Sequence, residues 1–130
     1  YLRNLKKKNK LEKRIFLMKY QKNIFHYIKK AKAVIIPSLW EDPGFVMIEA
    51  AFSKKPIISS NCPSGPKEFI GNNKGGYIFE SNSLISLNNS IKKFCNSSWK
   101  EIIQKIMNDK KKSEIYTIEN HTKILNRYLN

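Results

Sequence analysis

Acid is scarce in this sequence. Ten Asp and Glu stand against 25 Lys and Arg in 130 residues, a formal charge of +15 at neutral pH. That balance offers a basic face to phosphates, nucleic acid or an anionic membrane. Cysteine is nearly absent. Cys62 and Cys95 are too few for a disulfide framework, and their spacing to His26 and His121 fits no zinc pattern. They read as reduced thiols of a cytosolic protein, and no metal site is expected. No apolar run approaches the ~18–20 residues of a membrane span. The opening Tyr1-Leu2-Arg3-Asn4 carries neither Met nor a signal-peptide stretch, and a chain opening on Tyr reads as a piece of something longer. Arginine is rare too, three against 22 lysines, and aromatic residues are not interleaved with the basic ones. Base-specific readers favour the arginine fork, so no nucleic-acid partner is expected.

What is present suffices for one ordered domain: 130 residues with 41% apolar side chains. Lys, Asn and Ile share A/T-rich codons and make up 54 residues, so part of the basicity is expected from genome composition. The charge is also uneven. Residues 1–32 hold 12 Lys and Arg against one Glu, a net +11, whereas residues 33–130 carry only +4. The first segment reads as a solvated lysine face resting on lipid headgroups, at about 1 kcal/mol per well-placed lysine.

Short apolar runs alternate with helical spacing through the middle of the chain. Ile15–Met18, Ala33–Pro37, Pro56–Ser60 and Gly76–Glu80 read as strands, brief and apolar as parallel strands covered on both faces are. Asn23 is expected to cap a helix bearing Ile24, Phe25, Ile28 and Ala31. Asp42-Pro43 reads as an N-cap and first helical residue of a helix to about Ser53. Pro66–Ile70 reads as a short helix stopped by Gly71. This β/α alternation implies a doubly wound α/β sheet, Rossmann-like and partial. From Leu84 the pattern is purely helical. Leu84, Leu87, Ile91 and Phe94 form one stripe; Trp99, Ile102, Ile103, Ile106 and Met107 a second; Ile115, Ile118, Thr122, Leu125 and Leu129 a third. All three read as core-facing.

Ligands of open α/β sheets bind at the carboxyl ends of the strands, which singles out the loops Met18–Asn23, Ser38–Gly44 and Ser59–Gly65. Glu41 stands at a strand end, and Glu49 follows inside a helix among Phe45, Val46, Ile48, Ala50, Ala51 and Phe52. A carboxylate in such surroundings needs a donor, a cation or a ligand hydroxyl. The helix start after Gly44 offers free N–H groups suited to phosphate. Two carboxylates so placed could bracket a polyhydroxylated phosphate ester; a capped helix with one paired Glu is the competing reading. The loop Asn61–Pro66 is stiffened by Pro63 and Pro66 and turned by Gly65, so it either closes over a ligand or merely starts a helix with Glu68 in its first turn.

The stretch Pro37–Ala51, followed by Lys55–Ser60, resembles the donor-binding half of retaining GT-B glycosyltransferases, more narrowly the group called family 4. Glu41 and Glu49 match its two glutamates separated by seven residues. Asn61–Glu68 resembles its Gly-x-x-Glu segment, and Gly75–Phe79 its next strand. The likeness runs from about Ile15 to Phe94. It departs at Met18, where the family usually has Gly, and at Pro43, with Gly44 next. The resemblance implies an incomplete C-terminal nucleotide-sugar-binding domain over residues 1–130, with a β/α core at about 15–95 and terminal helices at about 97–130. It places two strands, an Arg/Lys pair for the diphosphate and the acceptor-binding domain upstream of Tyr1. The two strands would lie between Ile15–Met18 and Val34, leaving a gap in the sheet or a collapse around it.

The resemblance further implies a hexosyltransferase that moves a sugar, with retention, from a nucleotide-sugar donor to a glycan or lipid-linked acceptor in polysaccharide biosynthesis. This chain would supply part of the donor site and be inactive alone. Glu41 would be the catalytic-site carboxylate on the transferred sugar's hydroxyls, and Glu49 would hold the ribose. Gly44, Phe45 and Val46 would face the diphosphate, Met18 would lie by the nucleobase, and Gly65 would belong to the donor-binding loop. No metal or other cofactor is implied, and the setting is cytoplasmic, with peripheral contact at the inner face of an anionic membrane. The alternatives are a non-catalytic basic α/β module binding nucleic acid or anionic membrane, or a non-functional gene fragment.

Overall fold

Three short runs rich in Val, Ile, Tyr and Phe form a parallel sheet, as β-branched and aromatic residues favour. In the computed structural model, which describes residues 1–42 and 44–129, these are β1 (Val34–Ile36), β2 (Ile57–Ser60) and β3 (Tyr77–Phe79), side by side in that order. Ile35 stands opposite Ile58, and Ser59 opposite Ile78. Parallel neighbours need a crossover, and here each is a helix: α3 (Phe45–Phe52) between β1 and β2, α4 (Pro66–Ile70) between β2 and β3. The helices α1 (Leu2–Lys8) and α2 (Phe25–Lys30) precede the sheet. After it come α5 (Leu84–Asn96), α6 (Trp99–Ser113), a 3-10 turn (Glu114–Tyr116) and α7 (Ile118–Leu129). No helix among the described residues is long and apolar enough to cross a membrane.

Strand alternation sends side chains to two cores. On one face Ile36 and Ile57 pack with Met47, Ile48, Ala50 and Ala51 of α3 and Phe69 and Ile70 of α4. On the other, Ile58, Tyr77 and Phe79 meet Leu87, Ile91 and Phe94 of α5. The sheet is therefore covered on both sides, the three-layer α/β arrangement expected from the sequence. Gly76 lets β3 approach β2, for a Cβ there would lie 2.5 Å from the Ile57 carbonyl oxygen.

Helix α6 closes the first face with polar rather than apolar groups. Its buried residues are Lys105, Asp109 and Ser113. Lys105 Nζ donates to the Asn73 carbonyl and lies 5.0 Å from the centre of the Tyr77 ring. Lys112 Nζ donates to the carbonyls of Phe69 and Glu68 at 2.6 and 3.1 Å, so two lysines satisfy carbonyls around the C-terminal end of α4. Asp109 sits between them on the helix, fully buried. Neither carboxylate oxygen has a hydrogen-bond partner, and a Cβ on Gly75 would fall 1.7 Å from Oδ1. Burial pushes the Asp109 carboxyl up from 3.8 to about 7, against the pull of Lys112 and then Lys105.

Several expectations need correction. Ile15–Met18 forms no strand. The backbone before it is spent in turns, Leu11 N–H to Lys6 and Ile15 N–H to Leu11, and all four side chains are exposed. Asn23 does not cap α2; Ile24 occupies that position in helical geometry. Helix α3 begins later than the Asp42-Pro43 signal suggests, because Gly44 adopts a left-handed conformation (φ 75°) and itself becomes the N-cap. Pro43, read as the first helical residue, lies outside the described residues. The third stripe is interrupted at Thr117, whose backbone is extended (ψ 150°), and α7 buries no residue. Its apolar face is real but no described layer covers it. Leu84, Trp99, Ile103 and Met107 are likewise exposed members of the other two stripes. Helix α4, by contrast, starts at Pro66 and stops at left-handed Gly71 as expected.

Candidate active site

The carboxyl ends of β1 and β2 are joined by two serines. Ser60, the last residue of β2, donates its hydroxyl to the Ser38 carbonyl at 2.5 Å. Ser38 in turn donates its own hydroxyl to Glu41 Oε1 at 2.5 Å. Charge-assisted hydrogen bonds of this length are strong, so the Glu41 carboxylate is oriented by a chain anchored in the sheet. Its other oxygen, Oε2, faces Gly44, where an added Cβ would lie 3.6 Å away. The left-handed Gly44 also lets the chain turn into α3, whose Met47 N–H reaches the Gly44 carbonyl at 2.9 Å.

Phe45 and Val46 form the first turn of α3, where backbone N–H groups have no partner within the helix and the dipole is positive. Both side chains are exposed, while Met47 and Ile48 are buried. Glu49, on the next turn, is half-buried. Both ion pairs among the described residues involve α6 lysines and lie elsewhere. Among the described residues Glu49 therefore has no cation as its partner, and the partner anticipated from its apolar neighbours is not an ion pair there.

Gly65 (φ 84°) turns the loop after β2 into α4. This brings Ser64, Gly65 and Glu68 across from Asp42, and the four line a cleft of about 290 Å3 with Phe69 and Tyr116. Asn61 fastens the loop to the third strand: its N–H donates to the Phe79 carbonyl at 2.8 Å, and its Oδ1 accepts from Ser81 N–H at 2.8 Å. Glu41, Gly44, Phe45 and Val46 thus share one edge, with Glu49 behind them on the same helix and Gly65 on the adjoining loop. Met18 is in different company. Its neighbour Phe16 lies under Lys6 of α1, 5.9 Å from ring centre to Nζ, and Leu17 lines a groove with Arg3, Lys6 and Lys7.

Ser38 and Ser60 are the residues that sequence reasoning passed over. Ser38 lies three positions before Glu41, within reach of a local side-chain bond. Ser60 is 22 residues away from the carbonyl it serves, and only the sheet brings the two together.

An open parallel sheet between helices, with one oriented carboxylate and a helix start over its strand ends, is the architecture in which α/β domains bind ligands. Residues 1–120 match the family described as glycosyl transferases group 1, and the chain belongs to that family. It is 29% identical over 120 residues to the poly(ribitol-phosphate) alpha-N-acetylglucosaminyltransferase of Staphylococcus aureus (strain COL), covering 92% of this chain and 24% of that protein. It is 30% identical over 81 residues to an Escherichia coli UDP-Gal:alpha-D-GlcNAc-diphosphoundecaprenol alpha-1,3-galactosyltransferase, covering 62% and 21%. A crystal structure of a TarM variant from S. aureus, in complex with fondaparinux, alpha-GlcNAc-glycerol and UDP, superposes with a TM-score of 0.81 at 26% identity, over 99% of this chain and 26% of that one. The chain thus spans about a quarter of the length of these relatives. Its fold is that of GT-B glycosyltransferases, as the resemblance implied.

Proposed function

We propose that this chain supplies the donor side of a retaining, family-4-type hexosyltransferase. The donor is a nucleotide sugar and the acceptor a glycan or lipid-linked glycan in surface polysaccharide synthesis. The observation that carries the reading is the Ser60–Ser38–Glu41 chain, which fixes a carboxylate beside an open helix start. In this reading Glu41 accepts hydrogen bonds from hydroxyls of the transferred sugar, and Glu49 takes the ribose hydroxyls. Each carboxylate can accept two such bonds from neighbouring hydroxyls. The Phe45 and Val46 amides, with Gly44 leaving room, receive the diphosphate, and Gly65 shapes the loop closing from the other side. Met18 is assigned to the nucleobase by the family resemblance alone. The leaving diphosphate's charge is met by amides and basic side chains, and the reading calls for no metal ion.

The relatives' names support the substrate class: one transfers N-acetylglucosamine to a phosphate polymer, the other galactose to a diphosphoundecaprenol-linked sugar. The setting proposed is cytoplasmic, with peripheral contact at the inner face of an anionic membrane, toward which the net +11 of residues 1–32 draws the chain at long range. Titration calorimetry with UDP-, GDP- and ADP-glucose tests the donor assignment. Glu49→Gln is expected to weaken the binding sugar nucleotide by roughly 10- to 100-fold, the worth of a hydrogen bond to a charged group. Unchanged affinity in that variant contradicts the assignment.

A further inference from the structure

A second pocket lies at the opposite end of the sheet, before the amino ends of the strands. Lys32 stands two residues before β1, and Lys54 and Lys55 stand just before Pro56 and β2; all three line it. The apolar lining comes from Phe94 in the last turn of α5 and from Ile102 and Ile106 of α6. Trp99, the first residue of α6, also lines it and is 71% exposed. The volume is about 340 Å3, and no acidic side chain among the described residues lines it. An apolar lining, three unopposed cations and an exposed indole form one amphipathic site. Nothing in the donor reading uses it.

We propose that this pocket holds an anionic phospholipid of a membrane surface, with Lys32, Lys54 and Lys55 on the headgroup phosphate. The glycerol end of the acyl chains lies against Phe94, Ile102 and Ile106, and Trp99 enters the interface, the depth at which indoles collect. The charge of the site complements that lipid, and its apolar lining complements no free phosphate. The inference rests on the membrane contact proposed above and not on the donor site. It moves that contact from the diffuse charge of residues 1–32 to a defined pocket.

The test is cosedimentation of the complete chain with vesicles of equal parts phosphatidylglycerol and phosphatidylcholine. Lys32→Gln, Lys54→Gln and Lys55→Gln together should weaken binding on the order of 100-fold, roughly fivefold for each lysine. Lys6→Gln, Lys7→Gln and Lys8→Gln in α1, an equal loss of charge, should change it at most about twofold, being outside the contact. In a Trp40→Phe background, Trp99 emission should shift to shorter wavelength on vesicle binding and be quenched by brominated acyl chains. Because Trp99 is exposed, Trp99→Ala should fold and lose much of the binding. Equal losses from the two lysine triplets, or binding retained by the first, overturn the pocket while leaving membrane contact standing. Absence of any vesicle binding overturns both. Equal binding to pure phosphatidylcholine, or competition by millimolar glycerol 3-phosphate, overturns the lipid assignment in favour of apolar adsorption or a soluble phosphate. Donor titration is read separately and is unaffected by any of these outcomes.

Discussion

Glu41→Gln is expected to lower transfer by the complete gene product by about 100- to 1000-fold, the usual cost of removing one preorganised electrostatic group from a transfer site. The substitution keeps the shape of the side chain. Ser38 Oγ, now 2.5 Å from Glu41 Oε1, can still donate to the amide oxygen or rotate to accept from the amide nitrogen. Stability should therefore stay within about 0.5 kcal/mol of the parent. What is lost is the negative charge and one acceptor oxygen on the side proposed for the sugar. Ser60→Ala should act in the same direction but less strongly, because it frees the Ser38 carbonyl and loosens the carboxylate without removing it. Parent rates in Glu41→Gln would contradict the catalytic assignment. A large fall in both rate and melting temperature would point to a structural role instead.

The second large effect concerns stability. Asp109 carries its proton up to about pH 7 in the folded chain, against an ordinary value of 3.8. Between those values the folded state holds a proton that the unfolded state has released. Stability is therefore full at acid pH, falls as pH rises toward 7, and is level above it. The shift corresponds to a loss on the order of 4 kcal/mol across that window. Asp109→Asn should abolish this slope in urea denaturation followed from pH 4 to pH 8. At pH 8 the variant should be the more stable protein by a few kcal/mol, since no charge is then buried without a hydrogen bond. The same slope in the variant as in the parent would show that another group titrates. Lys105 and Lys112 do not relieve the carboxylate by hydrogen bonds: neither of its oxygens has a partner, and both ammonium groups are turned to carbonyls around the end of α4.

How much of this could be read in advance varies with the range of the interaction. The three strands were legible because apolar runs of this length between helical patterns have few other uses. The bounds of α4 were legible because Pro66 and Gly71 act through their own backbone. Ile15–Met18 misled because a strand is a property of two segments, and periodicity in one cannot supply its neighbour. The same limit applies to α7, whose stripe is amphipathic in sequence yet meets no covering layer. At α3 the Asp42-Pro43 signal competed with the positive φ of Gly44, and the glycine set the start.

In the candidate site, Glu41 and Glu49 stand out by spacing and by the family resemblance, and the positive-φ turn at Gly65 by its turn chemistry. The Ser60–Ser38 bond and the meeting of Asp109 with Gly75 do not, since each joins residues distant in sequence. Asp109 did leave a trace. It lies seven residues after Ile102 and three after Ile106, on the inward face of α6, where a search for apolar stripes alone skips an acid.

The central claim is that a sugar nucleotide lies over the carboxyl ends of β1 and β2, against the first turn of α3. Hydrogen exchange of the complete gene product, with and without the nucleotide sugar that binds it, tests this most directly. Protection should rise over residues 38–49 and 61–68, strongest at the Phe45 and Val46 amides, and stay unchanged along α5. Ligand-induced protection elsewhere, with residues 38–49 exchanging as in the free protein, would contradict it.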